Sequence, residues 1–200
     1  ENRYTVRGNL MNFSKKSKYY FLTNLNNLGE DVTGDITHLI RSSNDYVVGD
    51  NQSSNKYLSL APSSASLKDN RTNFNNAEML SLNSIFTLNP KTKFKAIAFL
   101  NTNEQNYFRN SYDTFSDGNT QFKNTENYKM RQKQFSVFGK LDLTHDFNKK
   151  ATLEVTSRYS YNTNKDASNI DFNGENLEER LKTNTNYFDI KAIYTVKPTD

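Results

Sequence analysis

The sequence contains no cysteine, so a disulfide framework, a thiol nucleophile and a cysteine-bound metal are all excluded within its 200 residues. No apolar run approaches the roughly 20 residues that a transmembrane helix needs. Mean hydropathy is −0.89, which rules out a helical membrane protein. The apolar fraction is 34%, below the roughly 45–50% of a soluble domain. Such a chain is either disordered or folds without a conventional core. Aromatic residues make up 13% of it, and disordered chains are aromatic-poor, so a fold is expected. Histidine is limited to His38 and His145, and neither has a motif around it. No Ser-His-Asp arrangement can be drawn, and no carboxylate pair has the spacing of a hydrolase; no enzyme is expected. The formal charge is +4. Its basic residues are spread among strands and turns rather than gathered on one element, which gives no footprint for nucleic acid.

What the chain has is a rhythm of turns. Short polar turns lie at Ser14–Ser17, Asn89–Thr92, Asp146–Lys150 and Lys197–Asp200. Long polar connections run from about Gly29 to Asn76, Asn103 to Lys133 and Thr163 to Asn186. Between them lie segments that alternate apolar and polar side chains. Tight turns on one side and long loops on the other are the signature of a transmembrane β-barrel, with periplasmic turns and extracellular loops. A barrel also explains the low apolar fraction, since only every second strand residue faces lipid. The expected fold is therefore all-β: an antiparallel up-and-down barrel in the outer membrane of a bacterium. Asparagine is abundant, with 30 residues, and fits loop chemistry.

Seven strands are predicted, at about 3–13, 18–28, 77–88, 93–104, 134–145, 151–162 and 187–196. Each carries a run of alternate residues free of charge. Examples are Val6, Gly8 and Leu10; Leu80, Leu82 and Phe86; Phe135, Val137, Gly139, Leu141 and Leu143; and Phe188, Ile190 and Ala192. A charge facing mid-bilayer costs roughly 2–4 kcal/mol, so its absence is expected on a lipid face. Aromatic residues near the long connections, among them Tyr107, Tyr128, Tyr159, Tyr161 and Phe188, read either as an outer girdle or as cross-strand pairs in an extended hairpin. Seven is odd, whereas bacterial single-chain barrels have even strand numbers, and an open sheet leaves unpaired edges in lipid. The segment is therefore expected to be part of a larger barrel. It begins at Glu1 without an initiator Met or a leader, so a processed or cut start is expected.

The opposite strand faces carry Arg3, Arg7, Lys18, Lys93, Lys95, Lys140, Arg158 and Lys191 against Asp142, Glu154 and Asp189. One reading is a basic wall that steers an anionic solute, with Arg3, Arg7, Lys95, Lys140 and Arg158 as the ligand-facing candidates. The favoured reading is that these charges pair across the lumen with acidic groups of the plug or of unseen strands, with Lys93 at the membrane edge. Asn169, Asp171, Asn173 and Gly174 resemble the start of a calcium loop, but Arg180 stands where the bidentate Glu belongs. A polar loop leading into a short helix over 175–182, with Leu177 and Leu181 on one face, is preferred. A short helical or extended piece is also possible over 34–40. His38 and His145 fall on opposite sides of the membrane in this topology and cannot share a metal. No cofactor and no metal is expected.

Three stretches carry a family resemblance: YYFLTNLNNLGED (Tyr19 to Asp31), NAEMLSLNSIFTLNPKTKFKAIAFLN (Asn76 to Asn101) and FSVFGKLDLTHDFNKKATLEVTSRYSY (Phe135 to Tyr161). Together they resemble the barrel region of TonB-dependent outer-membrane receptors, of the Bacteroidota type with a carboxypeptidase-regulatory-like extension. The resemblance rests on strand and turn style over essentially the whole chain. It implies a barrel of about 22 strands around a plug domain, nutrient uptake energised by the TonB complex, and in many members a surface lipoprotein partner. The segment has no plug domain and no TonB box. Three other readings compete. One is a receptor-like barrel that is a structural subunit of an outer-membrane complex. Another is a small autonomous porin-like barrel with an eighth strand at 56–61. The third is a soluble β-sandwich, whose strands would be nearer five or six residues.

Overall fold

The computed structural model describes residues 3–28, 74–118 and 120–197, and these form one antiparallel sheet of seven strands. The strands are β1 (Thr5–Phe13), β2 (Ser17–Asn26), β3 (Phe74–Asn89), β4 (Thr92–Ser116), β5 (Gln121–Asn148), β6 (Ala151–Phe172) and β7 (Glu175–Val196). Each pairs only with its neighbours in sequence, in the order β1-β2-β3-β4-β5-β6-β7. The fold is thus all-β and up-and-down. The sheet is open, with β1 and β7 at its two edges. Among the described residues no helix is long and apolar enough to cross a membrane, which says nothing of crossing by strands. The pieces expected at 34–40 and 56–61, and His38, lie outside the described residues.

Three connections at one end of the sheet are tight. Between β1 and β2, the Ser14 amide donates to the Ser17 carbonyl at 2.8 Å. The next two turns use one device. The Asn89 side-chain oxygen accepts from the Lys91 amide at 2.9 Å, and the Asn148 oxygen accepts from the amides of Lys150 and Ala151 at 2.8 and 2.9 Å. An Asn that bonds the backbone two residues on closes a turn without regular pairing, which fixes where each hairpin reverses.

At the other end the structure corrects two expectations. Residues 103–133 and 163–186 are not long loops: β4 and β5 stay paired from Thr92↔His145 to Ser116↔Gln121, and β6 and β7 from Ala151↔Val196 to Phe172↔Glu175. Residues 175–182 are strand, not helix. The reversal is at Asn173-Gly174, where φ is 52° and 87°. That is the two-residue turn that Asn-Gly favours, because both positions need positive φ. Asp171 is occupied there as well, its carboxylate accepting from the Gly174 amide at 2.9 Å. The hairpin tip between β4 and β5 is closed by Thr120, whose amide donates to Asp117 Oδ1 at 2.7 Å.

Register makes the seven strands share two continuous faces. One row runs Phe21, Leu82, Ala98, Gly139, Tyr159 and Phe188; the adjacent row of the opposite face runs Leu22, Ser81, Phe99, Phe138, Ser160 and Tyr187. Every apolar strand face named above falls on the first side. Burial differs from that of a soluble sheet, although Ala77, Met79, Ile97 and Met130 are buried on the polar side. The apolar side stays open, with Leu10 57% exposed, Leu88 64%, Leu141 47% and Ile190 67%. The polar side is enclosed, with Asn24 at 3%, Ser81 at 4%, Asn101 at 3% and Lys140 at 5%.

Candidate solute-facing site

The enclosed polar face holds two adjoining zones. The charged zone occupies two neighbouring rows across β4–β7. One row sets Lys95 opposite Asp142, then Thr156, then Lys191; the next sets Ile97, Lys140, Arg158 and Asp189 side by side. Arg158 grips Asp189 with two nitrogens, Nε at 2.9 Å from Oδ1 and Nη2 at 2.7 Å from Oδ2. This fork-on-carboxylate geometry fixes the guanidinium plane as well as its charge. Lys140 has its side chain only 6% exposed, with Nζ 3.9 Å from Asp142 Oδ2. Asp142 also accepts from the Thr156 hydroxyl at 2.8 Å.

Three of the five basic candidates, Lys95, Lys140 and Arg158, therefore meet on adjoining rows. Arg7 and Arg3 do not join them. Arg7 stands opposite Asn24 on β1, four strands from β5, about 19 Å at the usual strand spacing. Arg3 precedes β1. Pairing with acidic groups occurs inside the sheet itself, through Asp142 and Asp189.

The second zone is lined by amides and was missed as a site in the sequence. Asn24, Asn83, Asn101 and Asn103 all lie on the enclosed face, and each holds a buried polar atom without a hydrogen-bond partner. Asn24, Met79 and Asn101 are consecutive in one row, and Asn83 shares the row of Lys140 and Arg158. A buried polar atom without a partner costs about 1–3 kcal/mol, and water or a polar solute supplies the missing bond. The zone therefore offers three acceptors and one donor beside a strip of mixed charge. The usable signal in the sequence was recurrence of Asn on the polar parity of successive strands.

Beyond the apolar stretch the β4–β5 hairpin carries its own cluster. Arg109 pairs with Glu126 and lies over the Tyr128 ring at 5.9 Å, and Tyr107 meets Tyr128 edge-on at 6.0 Å. The Glu126 hydrogen bond holds the Arg109 guanidinium above its usual range, and burial pushes the Tyr128 hydroxyl up. These rings lie in an extended hairpin. Tyr159, Tyr161 and Phe188 instead sit on the apolar face itself. His145, also on the apolar face, shares a hydrogen bond with the Thr92 hydroxyl at 2.9 Å through Nδ1.

Comparison with known proteins finds no matching family model, no matching curated protein and no matching solved structure.

Proposed function

We propose that this chain is part of an outer-membrane β-barrel that takes up a polar solute, of the TonB-dependent receptor kind. The observation that carries the reading is the pattern of burial: apolar side chains stay exposed on one face while asparagine, serine and lysine are enclosed on the other. In water such a sheet exposes its apolar face at a cost of roughly 25 cal/mol per Å². In lipid the same face is satisfied, and the backbone is satisfied wherever strands pair. From Phe135 to Leu143 the apolar face of β5 covers about 26 Å of strand, which at the usual tilt matches a band near 20 Å tall.

Closing the two open edges requires further strands, so the native protein is proposed to be several times larger than 23.1 kDa. The plug, the TonB complex and a surface lipoprotein are its proposed partners by resemblance. The amide-lined and mixed-charge zones face the interior, where they line a path for hydrogen-bonding solutes; no catalysis is assigned to them.

The test is extraction of the native protein from its membrane. The reading predicts that detergent is required, that intact mass far exceeds 23.1 kDa, and that solute uptake by cells collapses when the proton gradient is removed. Uptake that survives loss of the gradient leaves a passive pore. A detergent-requiring barrel with no uptake at all fits the structural-subunit reading. A protein that stays in solution without detergent overturns the barrel.

A further inference from the structure

Just beyond the apolar band on its exposed face, register builds a row of like charges. Lys133 on β5, Lys165 on β6 and Lys182 on β7 stand directly opposite one another, with Glu104 of β4 at the end of the row. Glu104 Oε2 takes Lys133 at 3.0 Å. Among the described residues no hydrogen bond or ion pair reaches Lys165 or Lys182, and both are exposed. Like charges directly opposite in a sheet repel, so the row is unfavourable as it stands. One row further on, Arg131 and Arg180 flank Ala167 on the same face; Arg131 is paired with Glu104 at 2.6 Å and Arg180 with Glu178 at 3.2 Å.

On β5 the row lies two residues beyond Phe135, where the apolar face ends; Thr102, Thr163 and Asn184 share the row of Phe135 on the neighbouring strands. Two residues are about 7 Å along the strand, or roughly 5 Å of height at the usual tilt. The headgroup layer is about 5–8 Å deep on each side of the hydrocarbon core, so the row stands within it.

We infer that Lys165 and Lys182 bind the phosphates of an anionic lipid in the outward leaflet, whose acyl chains lie on the apolar band below. The inference rests on the barrel reading. A lipid is favoured over a free polyanion because the cationic row stands on the same exposed face as the apolar band. A phosphate between the two lysines removes their repulsion and gains charge-assisted hydrogen bonds.

The test compares the native detergent-extracted protein with its Lys165→Gln/Lys182→Gln variant. In micelles of neutral detergent the variant unfolds at the same temperature as the wild type or higher, because repulsion is gone. Adding diphosphorylated lipid A raises the wild-type midpoint by about 4 °C or more and leaves the variant where it was. Inorganic pyrophosphate gives no comparable rise. A Lys149→Gln/Lys150→Gln control in a short turn keeps the full lipid effect. An equal rise in wild type and variant, an equal rise with pyrophosphate, or no rise at all overturns the inference while leaving the barrel intact. Solubility without detergent overturns the barrel itself.

Discussion

Arg158 and Asp189 are where one side chain decides most on the enclosed face. Their side chains are 16% and 25% exposed, so each keeps little water of its own. Asp189→Asn leaves the guanidinium partly buried and without its carboxylate. The expected loss is about 2 kcal/mol of unfolding free energy, read from urea unfolding in detergent. An Asp189→Asn protein as stable as the wild type means that the pair is replaced at no cost by water. The sequence placed Arg158, Lys140 and Asp189 on one face, because parity along a strand reports the face. It could not pair them, because the partner of a strand residue is set by register between strands, which alternation within one strand does not contain. The unbonded amides of Asn24, Asn83, Asn101 and Asn103 were hidden for a related reason. An Asn on a polar face reads as solvated until the fold encloses it.

At the scale of the element, the hairpins beyond the apolar band were the least legible part. Residues 105–131 lack apolar alternation, since both faces of that hairpin are polar or aromatic by turns. They are paired by cross-strand contacts such as Glu104 with Arg131 at 2.6 Å and the stacked rings of Phe115 and Phe122 at 5.0 Å. The helix expected over 175–182 failed on arithmetic. Leu177 and Leu181 are four apart, a spacing that suits one face of a helix and one face of a strand equally. The Asn-Gly pair before them was the better guide. Gly174→Ala forces a Cβ into positive φ and is expected to cost about 1–2 kcal/mol of local stability. Faster hydrogen exchange near the 163–186 hairpin tip checks this; unchanged exchange there contradicts it.

The apolar faces were legible because alternation along a strand reports its two faces directly. Faces assigned strand by strand fall on one side of the whole sheet once register is applied. This has a consequence for substitutions on neighbouring strands. Leu141→Arg puts a charge on the apolar face and is expected to destabilise the folded protein in lipid by about 2–4 kcal/mol. Thr156→Arg puts the same charge on the polar face beside Asp142 and is expected to change stability by well under half that. Refolding titrations into lipid vesicles compare the two, and equal costs would remove the distinction between the faces.

For the whole molecule, one face of this sheet is proposed to meet lipid and the other water. The segment has no cysteine, so single cysteines introduced along β5 carry a spin label at one defined position each. The measurement is label accessibility from 133 to 143 in lipid vesicles, to oxygen, which concentrates in the bilayer, and to a water-soluble nickel complex. Strict alternation is expected. Positions 135, 137, 139, 141 and 143 favour oxygen, positions 136, 138, 140 and 142 favour nickel, and the lipid signal ends by 133. Equal exposure to nickel at odd and even positions would contradict a membrane sheet and leave a water-exposed one.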